Sequence, residues 1–172
     1  MRDTFDQLKK NFQAPPAKEA LSRAPFSSMI PKAAITEVTG FGKTEWLVNL
    51  MKEHPQASMA WLESELSAYP LGFFQRNISL QHILFVEAGA HLSWACMQVL
   101  KAQLFKIVVV CHSEFDLLSL KRFQLLCEKS DCALIWLSPK PHSLWPIRKH
   151  IHAHPSHAIK EDVVQDANTE VG

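Results

Sequence analysis

Two uninterrupted apolar runs, Ile107 to Cys111 and Ala133 to Leu137, constrain this chain most. A strand with one wet face alternates apolar and polar residues. A strand with no polar member is covered on both faces, as in a parallel sheet held between helical layers. The surrounding sequence supplies such layers. Ala34 to Val38, Ser58 to Leu62 and His82 to Val86 read as three earlier strands, and Lys106 to Cys111 and Cys132 to Leu137 as the fourth and fifth. Between them, Leu47, Leu50 and Met51 recur at helical spacing within Lys43 to Glu53, and Pro55 forbids continuation. Pro70 and Gly72 mark a loop with a short helix through Phe73, Phe74 and Gln75. Leu92, Cys96, Val99 and Leu100 define another helix, and Asp116 can cap one running through Glu128.

Strands alternating with helices imply right-handed crossovers and a parallel, doubly wound sheet. The expectation is a single α/β domain over residues 33–151, a three-layer αβα sandwich with about five strands. An N-terminal arm over 1–32 and a disordered tail over 152–172 flank it. The arm holds four prolines and six Lys/Arg against three Asp/Glu, and the last twelve residues carry four acids and no base. Ligands in such folds bind at the carboxyl ends of strands, which points to 39–45, 63–70, 87–91, 111–116 and 138–142.

Composition excludes several classes. A net charge of +1 leaves no global field to draw the chain onto nucleic acid or membrane. The apolar runs reach about five residues, against the roughly 20 a bilayer span needs. The acidic start from Met1 to Asp6 lacks the apolar core of a secretory signal. The four cysteines form no Cys-x-x-Cys pair and sit in apolar stretches, as small hydrophobes do. A reduced, cytoplasmic protein without a zinc site is expected.

The first turn is the most informative. Strand, Gly40-Phe41-Gly42-Lys43-Thr44, helix is the setting of a phosphate-binding loop. There, backbone amides and a helix N-terminus face an anion, Lys reaches phosphates and Thr ligates Mg²⁺. The full pattern requires its first glycine at position 37, where Glu37 stands. Gly40, Gly42, Lys43 and Thr44 therefore form a degenerate cofactor site whose cradle is three residues short.

Ile35-Thr36-Glu37-Val38-Thr39-Gly40 resembles the strand that opens the RecA ATPase core. Ala60 to Glu65 followed by Tyr69-Pro70, Gln75 to Leu84, and Ile107 to Ser113 are similar to successive segments of the same core. The resemblance places Glu65 where that family keeps the glutamate that activates the attacking water, and Cys111 where it keeps the Mg²⁺-binding aspartate. A soft neutral thiol does not replace a hard carboxylate around Mg²⁺. The resemblance thus implies a vestigial ATPase core, not an enzyme and without a cofactor, in which Glu65 is an exposed relic.

Two bacterial groups of degenerate RecA-like chains fit. The segment Glu114 to Leu126, with Leu92 to Leu100 before it, resembles ImuA. That resemblance implies an SOS-response adaptor in translesion mutagenesis and DNA repair, acting by protein binding on an ImuB-type polymerase-like protein or on RecA. The chain's length and Ile35 to Val38 resemble SulA equally, which implies inhibition of division through FtsZ. A third reading is a weak ATPase or switch that binds ATP and Mg²⁺ through Lys43, Thr44 and Glu65.

Candidate partner-binding residues are Trp145, Arg148 and Lys149 in the strip Leu144 to Lys149, and Lys121 and Arg122 with Gln124 on the helix after Asp116. The bland alternatives are sheet-edge cover for the strip and a solvated helix face for the pair. Trp61, Trp94 and Trp136 read as core packing, with Trp46 and Trp145 open. His150, His152, His154 and His157 could hold a metal, but a Pro-interrupted stretch supplies no fixed support, and no metal is expected. The basic arm, at Lys9, Lys10, Lys18, Arg23 and Lys32, leaves room for a weak, salt-sensitive DNA contact.

Overall fold

A computed structural model describes residues 30–112 and 114–154. The remainder of the expected arm and tail, with His157 and most of the basic arm, lies outside the described residues. Six strands form one all-parallel sheet: β1 (Ile35–Thr39), β2 (Met59–Glu63), β3 (Ile83–Glu87), β4 (Ile107–Cys111), β5 (Ala133–Leu137) and β6 (Ile147–His152). Their spatial order is β3-β2-β4-β5-β1-β6. Four α-helices connect them: α1 (Lys43–Glu53), α2 (Pro70–Gln75), α3 (Leu92–Ala102) and α4 (Leu117–Ser130).

The continuous apolar runs now have their cause. Ile107, Val109, Ile135 and Leu137 pack with Leu47, Leu50 and Met51 of α1 and Phe73 of α2. Their neighbours Val108, Val110, Leu134 and Trp136 pack with Cys96 and Leu100 of α3 and Leu120, Phe123 and Cys127 of α4. Each strand therefore buries both faces, and polar residues have no place in β4 or β5.

The sequence reading left out the sixth strand. β6 is an edge strand that includes part of the strip expected to bind partners, and the sheet runs on past residue 151 to His152. Its pairing with β1 carries a bulge: Ile35 faces Ile147, but Thr36 faces Lys149. Arg148 is the extra residue, and it is exposed. In a regular strand Ile147 and His150, three residues apart, would point to opposite faces of the sheet. The bulge lets Ile147 join the α3–α4 side and still sets His150 opposite Glu37.

Helix α4 is capped as its sequence implies. Asp116 accepts hydrogen bonds from the Ser119 amide at 2.9 Å and the Ser119 hydroxyl at 2.6 Å. One expectation for this helix is overturned. Gln124 is buried and faces the sheet, away from any partner. Its carbonyl accepts from the Ile35 amide at 3.2 Å and its NH₂ donates to the Ala33 carbonyl at 3.1 Å. It thereby satisfies the backbone where β1 begins, and Lys121 and Arg122 keep the outer side.

Gln124→Ala should lower the unfolding free energy by about 2–3 kcal/mol, since it strands buried backbone groups. Arg122→Ala, on the exposed side of the same helix, should change it by less than about 0.5 kcal/mol. Urea denaturation of both variants followed by circular dichroism checks the contrast.

Candidate functional site

The carboxyl ends of the strands hold the residues on which a nucleotide site would depend. After Thr39 the chain turns sharply: the Lys43 amide approaches the Gly40 carbonyl at 3.4 Å, and the Trp46 amide bonds to Gly42 at 2.9 Å as α1 begins. The end of β6 lies directly against this turn. The Ala153 carbonyl accepts the Gly42 amide at 3.0 Å, and the Ala153 amide donates to the Thr39 carbonyl at 2.8 Å. The Thr39 hydroxyl is 3.1 Å from His152 Nδ1. Gly40 holds φ +92°, and a Cβ there would meet the Ala153 oxygen at 2.3 Å. The glycine is thus required by the approach of the chain's own backbone.

Lys43 is also engaged. Its ammonium donates to the Ser138 carbonyl at 3.2 Å, past the end of β5. Thr44 is exposed on the first turn of α1. Cys111 ends β4 in register with Glu63 of β2. Burial, with the Glu63 charge beside it, pushes the Cys111 thiol well up and keeps it protonated. Glu63 is the buried acid of this region, while Glu65 is exposed in the following loop. Burial opposes the Glu63 charge, but the Ala68 and Ser67 amides outweigh it and hold the carboxyl below its usual range. Glu63 therefore organises the loop after β2.

Position 37 carries the feature that sequence reasoning missed. Glu37 is 1% exposed in the middle of β1. One oxygen accepts from His142 Nδ1 at 2.6 Å, and the other from the His142 amide at 3.0 Å and His150 Nδ1 at 2.8 Å. A carboxylate only accepts, so both imidazoles carry their proton on Nδ1. Burial raises the Glu37 carboxyl, but the bonds from His150 and His142 outweigh it and hold the group below the usual carboxylate range. Trp136 stacks on His142 with ring centroids 4.6 Å apart, and its indole N–H donates to the His112 carbonyl at 3.0 Å. This buried anion stands three residues before Gly40, beneath the turn that would have to receive a phosphate.

The histidine stretch is thus used in pairing. His150 serves Glu37, His152 serves Thr39, and the His154 ring lies 4.7 Å from that of His152. Among the described residues no group of three His, Cys, Asp or Glu is arranged to hold a metal. A cavity of about 340 Å³ opens at the opposite end of the sheet, where Met59 and Ile83 begin their strands beside Lys52 and His54. No first-turn residue lines it.

The expected partner-binding residues fall into two groups. Lys121 and Trp145 are brought together, with the ammonium 5.8 Å from the ring centroid. Arg122 and Arg148 are exposed on α4 and β6, and Lys149 is half-buried. Trp46 is in the core and Trp145 is 72% exposed. Trp94 corrects the reading of it as packing: it is 59% exposed, on the outer side of α3. The segment after β2 also exposes Leu66, Tyr69, Leu71 and Phe74.

No family model and no curated protein matches this chain. Solved structures do. SulA from Pseudomonas aeruginosa superposes with a TM-score of 0.54 over 64% of this chain and 100% of that one, at 13% identity. The chain has the SulA fold. Among the described residues no helix is long and apolar enough to cross a membrane.

Glu37→Gln should cost about 2–4 kcal/mol, because an amide cannot accept from both histidines. The Glu37 carboxyl is lower in the folded than in the unfolded state, so the unfolded chain binds more protons in acid. The contribution is therefore full above the ordinary glutamate value of about 4.3 and is lost as pH falls below it. Denaturation midpoints of wild type and variant should stay apart at pH 7 and converge in that acid range.

Proposed function

We propose that this chain is a non-catalytic, RecA-like protein that works by binding another protein, and that it is a SulA-type inhibitor acting on FtsZ. The observation that carries the non-catalytic reading is the filled first turn. Its Gly42 amide and Lys43 ammonium, two donors a phosphate would need, already serve the Ala153 and Ser138 carbonyls. Phosphoryl transfer is almost entirely positioning and charge neutralisation, and Cys111 brings no carboxylate to hold the metal. The choice of FtsZ over other partners is supported by the likeness to SulA along the whole of that protein.

A binding protein needs exposed apolar anchors held on a rigid frame. The segment after β2 meets that need. Tyr69 and Phe74 are both 65% exposed, while Phe73 between Trp61 and Phe85 fixes α2 to the sheet. Glu63 holds the loop from the other side through Ser67 and Ala68.

A second reading is favoured by one feature. Within the Glu114 to Leu126 segment that resembles ImuA, Leu118, Lys121, Arg122 and Leu125 are all exposed, as an adaptor surface for an ImuB-type protein or RecA would require.

Purified chain should retain FtsZ in a pull-down and sediment with its polymers, and Tyr69→Ala with Phe74→Ala should weaken retention at least tenfold with the melting temperature unchanged. Retention of ImuB or RecA and not FtsZ would replace the first reading with the second.

A further inference from the structure

The outer face of α4 sets exposed leucines among its charged residues. Its inner face is filled by Leu120, Phe123, Gln124 and Cys127. Outside, Leu118 is 56% and Leu125 is 65% exposed. A single exposed leucine means nothing. These two lie one heptad apart, about 10 Å along the axis. Lys121 and Arg122 fall between them, each within three or four residues of both leucines, so all four side chains share one stripe.

The loop after β5 extends this stripe. Lys121 lies over the Trp145 ring. Trp145 is exposed on an anchored backbone, since Pro146 and Ile147 beside it are buried and Leu144 packs against the core on the α3–α4 side. An aromatic held rigidly at the surface gives contact area at little entropic cost. The stripe thus has three apolar anchors and two cations between the leucines, with the exposed Glu128 one turn beyond Leu125, where it accepts from Gln124 at 2.8 Å. Asp116 accepts from Ser119 at the start of the helix.

We propose that this stripe is a docking surface for an acidic amphipathic helix of a partner protein. The two-turn spacing of Leu118 and Leu125 matches the apolar ridge of a helix laid along α4. Acidic residues flanking that ridge complement Lys121 and Arg122, and the partner's apolar residues cover Trp145. This surface deepens the second reading above, whose exposed α4 residues it includes, and is separate from Tyr69 and Phe74, on which the first reading rests.

The test is selection from a displayed library of amphipathic helices whose flanking positions vary among Asp, Glu, Ser, Lys and Arg, panned on the full chain. Enriched sequences should be acidic. Their affinity, measured by fluorescence anisotropy on synthesised peptides, should fall at least tenfold for Trp145→Ser and for Arg122→Glu. A Lys-flanked peptide should regain binding to Arg122→Glu, which a misfolded variant would not allow. Circular dichroism and a Tyr69-dependent FtsZ pull-down control for folding and separate this result from the proposed function. No enrichment, enrichment without charge preference, or peptides indifferent to both substitutions would overturn the proposal. Tighter binding of the stripe to duplex DNA, or concentration-dependent dimerisation abolished by Trp145→Ser, would assign it to those occupants instead.

Discussion

A carboxylate buried inside a parallel sheet is tolerated only when its charge and lone pairs are satisfied. In this chain that constraint falls on Glu37, and much of the distinctive structure depends on how it is met. His150 reaches it from β6, which fastens an edge strand that among the described residues has only β1 for a neighbour. His142 reaches it from the loop after β5, which fixes the segment leading to Trp145. The continuation of β6 then lays Ala153 against the first turn. One acid thus helps to seat both the strand that fills the turn and the loop that carries the exposed tryptophan.

The geometry gives the proposed loss of nucleotide chemistry a physical form. A phosphate-binding loop works because its amides have no partner within the protein and point at an anion. Here the corresponding amide has a carbonyl at 3.0 Å and the lysine another at 3.2 Å. A ligand would have to displace both, above a buried negative charge. Protein binding asks nothing of that turn, and in the proposed reading the scaffold keeps its rigidity for surfaces elsewhere.

Most of the sheet was legible because burial on two faces writes itself plainly. Ile107 to Cys111 and Ala133 to Leu137 could be little else, and Asp116 marked the start of α4. The edges were harder. β6 reads as Ile-Arg-Lys-His-Ile-His, polar and broken by a bulge, since an edge strand with one neighbour needs few apolar residues. Trp94 was misjudged by size. It lies two residues from both Leu92 and Cys96, so the same periodicity that buried those two turns it outward. Gln124 was mistaken for surface beside its charged neighbours, although its spacing from Leu120 and Cys127 places it on the inner face.

Glu37 was seen in the sequence only as the residue displacing a glycine. Nothing local shows that it has partners, because His142 and His150 are more than one hundred residues away and only the pairing of β1 with β5 and with β6 brings them together. In the sequence His150 stands beside His152, His154 and His157 as a candidate metal ligand, with no metal expected, because a cluster of imidazoles reads the same whether it faces a cation or a carboxylate. Long-range polar pairing of this kind has no periodicity to betray it.

In the proposed reading the chain's own carbonyls take the donors that a nucleotide would need. Isothermal titration of the full protein with Mg-ATP tests it most directly. No saturable heat is expected up to millimolar nucleotide. Saturable binding that disappears in Lys43→Ala would contradict it.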